Sequence, residues 1–94
     1  MKTLTAATNS TASIGTASAL ILPANPRRSY AIISNGSAVG VWLSLGSPAA
    51  IGTGIYLAPG GGVFIIDEYG LYRGAIYGSA ASGSGNVLGT VDLQ

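Results

Sequence analysis

Charge is what this 94-residue chain has least of. Four Lys or Arg and three Asp or Glu make 7% of the sequence, where a soluble domain carries roughly 25%. A net charge of +1 supplies neither a basic stripe for phosphates nor an acidic tail, so general nucleic-acid binding is not expected. Histidine and cysteine are missing altogether. Their absence excludes His-based triads, thiolate nucleophiles, the usual zinc and haem ligands and every disulfide, and neither a cofactor nor a metal is expected. Long apolar runs are missing too. Mean hydropathy is +0.50 and residues 29–66 hold no charge, but Pro48, Pro59 and Gly60 to Gly62 interrupt that stretch. No membrane span is therefore expected. Lys2 is followed by Thr, Ala, Ser and Asn rather than an apolar block, so a secretory signal is not expected either.

What the chain does have is enough apolar mass to fold. Leu, Ile, Val and Phe make 24 of the 94 residues, above the roughly 20% below which chains stay disordered. The length allows one domain. Helical periodicity is absent, and 15 glycines are too many for stable helix interiors. Short apolar runs alternate with turn residues about every ten positions, the pattern of an all-β sandwich or barrel. Residues 1–18 are rich in Thr, Ala and Ser, and from Thr3 on their large apolar residues are Leu4 and Ile14. They read as a flexible or exchanging N-terminal arm ahead of a β-sandwich domain over 19–94. Such a segment is either a frayed terminus or short edge strand, or one that orders by adding to a neighbouring subunit's sheet.

Two hairpins are expected. Around Asn35-Gly36, suited to a type I′ turn, residues 29–45 form the first. Its register puts Tyr30, Ile32, Val39, Val41, Leu43 and Leu45 on the core face and Ala31, Ile33, Gly40 and Trp42 on the other. Residues 55–57 and 63–66 form the second, around Pro59-Gly60-Gly61-Gly62. Residues 69–77 and 86–93 read as further strands joined by the small-residue loop 79–85, with Val87, Val91 and Leu93 buried and Leu88, Thr90 and Asp92 outward.

Catalysis has little to work with. Glu68 with Asp92 could form a glycosidase-type carboxylate pair, yet Asp67-Glu68 before Tyr69-Gly70 is explained by a solvated turn. The glycine run precedes a strand and Lys2 is the only lysine, so no phosphate-binding loop exists. A non-enzymatic binding module fits better. Trp42, on a face of small residues, is a favoured interface anchor. Arg27 and Arg28 read as a solvated strand end or as a grip on a partner's carboxylate. Leu4, Thr5, Ala6, Ala7 and Thr8 are the candidate exchanging segment, and Tyr56, Tyr69, Tyr72 and Tyr77 a candidate sugar-stacking platform. Thin charge and unguarded edges favour packing against identical copies.

Three segments carry a resemblance: Leu22-Pro23-Ala24-Asn25-Pro26-Arg27-Arg28 leading into Ala31 to Gly36 and Val41 to Gly46; Gly54 to Leu57 with Pro59-Gly60-Gly61; and Tyr72 to Tyr77 before a Gly/Ser loop and the closing strand. This layout resembles small bacteriophage virion proteins of the capsid decoration or head-stabilising type. The resemblance implies a compact antiparallel β-sandwich or jelly-roll-like barrel, and the extended N-terminal arm lies outside the matched segments. It also implies a homotrimer on the virion's capsid surface, bound to the phage major capsid protein, with no enzymatic activity, nucleic acid or membrane. The rival expectation is a tail or receptor-binding module that recognises host surface glycans.

Overall fold

Runs of β-branched and aromatic residues punctuated by Gly, Pro and Asn favour strands with sharp connections. The computed structural model describes residues 6–67 and 70–94. It shows β1 (Ala7–Ile14), β2 (Ala19–Leu22), β3 (Tyr30–Asn35), β4 (Val41–Leu45), β5 (Ile55–Leu57), β6 (Gly62–Ile66), β7 (Ile76–Ala80) and β8 (Asn86–Leu93). Two four-stranded antiparallel sheets result, a first sheet β1-β8-β3-β6 and a second sheet β2-β7-β4-β5. The pairs β1·β8, β2·β7, β3·β6 and β4·β5 describe one long hairpin with its tip between β4 and β5. Rolling that hairpin brings β3 onto β8 and β4 onto β7. This is the jelly-roll form of the expected all-β sandwich, a solution that leaves few edges bare.

Between the sheets lie Ile14, Leu22, Ile33, Val41, Leu43, Leu57, Ile66, Ile76 and Leu88, all buried. The 4975 Å² of accessible surface matches the value of about 5,000 Å² expected for a folded monomer of this mass. The chain thus closes its own core.

Both expected hairpins are corrected. β3 and β4 lie in different sheets, as do β5 and β6, so each turn is a crossover. Gly36 does not take the positive φ of a type I′ turn. Instead the buried Asn35 side chain donates through Nδ2 to Val39 O (2.8 Å) and Leu57 O (3.1 Å), and its Oδ1 accepts from Ser37 N (3.0 Å) and Ser37 Oγ (2.6 Å). The two crossovers are also stitched together, by Gly60 N to Ser37 O (3.0 Å) and Gly61 N to Asn35 O (2.8 Å).

With the hairpin gone, the faces of β3 and β4 are no longer tied. β4 buries Val41 and Leu43 as expected but leaves Leu45, at its end, exposed, whereas β3 buries Ala31, Ile33 and Asn35 and turns Tyr30 and Ile32 outward. β8 has the expected bounds with its faces exchanged: Leu88, Thr90 and Asp92 are buried, and Val87 is 48% exposed. β7 begins at Ile76, so the chain before it is loop, and Ser79 and Ala80, expected in a loop, are buried strand residues. Of residues 1–18, Ala7–Ile14 is an edge strand laid along the chain's own β8 over eight paired positions. Buried Ile14 ties it to the core.

Gly54 shows how tight the β4–β5 tip is. Its φ is +89°, and a Cβ there would meet Leu43 O of the backbone, whereas Gly52 at φ +90° faces open space. Gly54→Ala is expected to cost about 2 to 4 kcal/mol in urea unfolding and Gly52→Ala about 1. Equal costs would contradict this packing.

Candidate functional site

The arginine pair splits into two roles. Arg27 is exposed, its backbone N–H held by Asn25 Oδ1 at 3.0 Å. Arg28 is fully buried, which corrects its reading as a surface contact. Its Nε donates to Asp92 Oδ1 (3.0 Å) and Nη2 to Asp92 Oδ2 (3.2 Å). Nη1 serves Tyr72 O (2.9 Å) and Gly74 O (3.1 Å), and Nη2 also serves Pro23 O (2.9 Å). All of the guanidinium's N–H directions are thereby used. Asn25 Nδ2 adds a 3.3 Å bond to Asp92 Oδ2, and Arg73 Nε returns to Arg28 O at 2.9 Å. One guanidinium pins the loop before β3, the loop before β7 and the end of β8. Arg28 therefore has no free N–H for a partner, and Asp92 is engaged by Arg28 and Asn25. Glu68 lies outside the described residues.

Asp92 is the one charged residue in the eight strands, and it points inward. Among the described residues, the strands therefore bring no ionic group to either outer face of the sandwich. On the first sheet, Val91, Ile32 and Ile65 lie side by side across β8, β3 and β6, with Leu93 opposite Tyr30 one row away. Val63 and Ile65 are half exposed. On the second sheet, Trp42 stands opposite Tyr56 and Ser79, and Tyr77 opposite Leu20 and Ser44. Trp42 and Tyr56 pack with ring centroids 5.0 Å apart at 50°, a favourable tilted geometry. Tyr56 also lies directly over Gly40, where a Cβ would strike its ring.

Trp42 is thus half-buried on the outer face, as the sequence suggested, with Tyr56 and Tyr77 as neighbours. Tyr72 is elsewhere: its hydroxyl donates to Ala75 O at 2.9 Å. Tyr69 lies outside the described residues, as do Leu4 and Thr5; Ala6, Ala7 and Thr8 are exposed at the start of β1. The aliphatic row on the first sheet escaped sequence reading because the hairpin register had assigned Ile32 to the core. Its signal was present in β8, where Val87, Val91 and Leu93 alternate with Asp92.

A cleft of about 340 Å³ opens between the N-terminal half of β1 and the segment after β2, lined by Thr8, Ser10, Leu22, Pro23, Thr90 and Asp92 among others. Among the described residues no group of three or more acidic side chains could hold a metal, and no helix is long and apolar enough to cross a membrane.

Asp92→Ala should cost about 3 to 5 kcal/mol because it strands a buried guanidinium. Arg28→Lys should cost about 2, since one ammonium cannot reproduce the fork, and Arg27→Ala less than about 0.5. Chemical denaturation checks all three, and an equal response at Arg27 and Arg28 would contradict the assignment. Compared with protein-family models, curated proteins and solved structures, the chain matches none, so its surface chemistry carries the functional reading.

Proposed function

We propose that the chain is a non-enzymatic bacteriophage virion protein, a capsid decoration or cement subunit that binds the lattice of the major capsid protein at the capsid surface as a homo-oligomer. One observation carries this reading: two outward sheet faces with no charged residue between them, on a domain that already closes its own core. Soluble monomers separate themselves with charged faces and guarded edges. This chain presents Ile32, Ile65 and Val91 on one side and Trp42, Tyr56 and Tyr77 on the other, surfaces suited to being covered. A subunit that binds the assembled lattice and not its dissociated form stabilises it by mass action, and repetition around a symmetry axis multiplies weak contacts. The jelly roll recurs in viral capsid domains and in lectins, and a fold alone does not choose between them.

The aromatic row of the second sheet favours a second reading, a tail or receptor-binding module that stacks host glycans on Trp42, Tyr56 and Tyr77. Aromatic rings offer sugars a flat apolar face beside phenol hydroxyls.

Ile65→Lys and Trp42→Ala change exposed or half-exposed positions and should leave the fold intact. Each is expected to weaken co-sedimentation with shells of the phage's major capsid protein by about tenfold or more, through a buried charge or a lost anchor. Unchanged occupancy for both contradicts the proposal. Glycan-array binding that Trp42→Ala abolishes and Ile65→Lys spares would establish the second reading instead.

A further inference from the structure

We propose that the free edge of β1 is a homotypic contact, pairing antiparallel with β1 of a second copy so that two first sheets become one continuous eight-stranded sheet. This names a contact that the assembly reading leaves open, and it rests on that reading only in taking a second copy as partner.

Long edge strands invite pairing, and proteins blunt them with charge, proline, bulges or short length. β1 has none of these. It runs for eight residues, Ala-Thr-Asn-Ser-Thr-Ala-Ser-Ile, in unbroken register with β8, and its other side pairs with no strand among the described residues. Its chemistry matches itself. Small neutral side chains on both faces allow a second β1 to approach without burying a charge or a bulky group. About a twofold axis normal to the sheet, like faces meet: Asn9, Thr11 and Ser13 lie beside their equivalents on the outer face, and Thr8, Ser10 and Ala12 on the inner.

The second sheet leaves room for this approach. β2 spans four residues and ends at Leu22 before Pro23, and the cleft opens beneath Thr8 and Ser10. A neighbouring β1 therefore meets no wall under the N-terminal half of the edge. Inside that cleft lie the hydroxyl side chains of Thr8, Ser10 and Thr90, the last only 4% exposed. Pairing of β1 strands would join the two clefts and enclose these hydroxyls between the copies. It would also extend the outer face of Val91, Ile32 and Ile65 across both copies, giving the assembly one broad uncharged surface.

The test uses charge exchange on the full chain. Asn9 and Thr11 are exposed and outward, so neither substitution disturbs the core. Combining Asn9→Lys with Thr11→Lys sets lysine opposite lysine in each register centred near Ser10, and Asn9→Glu with Thr11→Glu does the same with glutamate. Each double variant should lose self-association by about tenfold or more, and the loss should shrink in high salt. An equimolar mixture of the two should recover a dimer. Because the chain lacks cysteine, a mixture of Asn9→Cys and Thr11→Cys chains should form an intermolecular disulfide on mild oxidation, and Val63→Cys on the opposite edge strand β6 should not. A wild-type chain that stays monomeric at about 1 mM overturns the proposal. So does a Lys variant that associates like wild type, and that result leaves shell binding through the outer faces standing.

Discussion

The ion pair of Arg28 and Asp92 decides what the rest of the molecule can present. Asp92 is the single charge in the strands, and the fold turns it inward and neutralises it with a guanidinium that also takes three loop carbonyls. Such pairs add little net stability compared with apolar packing, but removing one partner is costly. What this pair supplies is arrangement. It fixes β8 with Leu88, Thr90 and Asp92 facing the core, which leaves Val87, Val91 and Leu93 facing out. The outer face of the first sheet is aliphatic because its only carboxylate is held inside.

The second constraint is the rolled hairpin. Every long-range pair except β3·β8 and β4·β7 joins strands equally far from the β4–β5 tip. The roll then places β1 and β6 at the edges of one sheet and β2 and β5 at the edges of the other. A domain built this way buries its core unaided, so its remaining apolar surface is available for docking. Assembly in this account adds contacts to a finished fold, as a subunit that attaches to a preformed lattice requires.

Much of the architecture was legible in the sequence, and the errors share one cause. Strand content, the absence of helices, the bounds of β8 and the core side of β4 follow from local alternation and turn residues. Asn35-Gly36 and Pro59-Gly60 are strong local hairpin signals, yet both mark crossovers, because Asn35 spends its amide on the carbonyls of Val39 in the connection and Leu57 in the facing sheet. No local pattern reports a partner 22 residues away. Arg28 and Asp92 failed for the same reason. Each alone reads as a solvated strand-end charge, and only the fold brings them together across 64 positions. Trp42 was placed correctly because its face depended on β4 alone. The aliphatic row of Ile32, Ile65 and Val91 needs three strands, and local turn signals give two of them, β3 and β6, the wrong partner.

Sedimentation equilibrium of the wild-type chain over a wide concentration range bears most directly on the claim that these uncharged surfaces exist to be covered. The account predicts a weight-average mass that rises above 9.3 kDa as concentration increases, with little sensitivity to salt because no ionic group lies in the contact. A mass fixed at that of one chain throughout, with no affinity for a capsid shell, would contradict it.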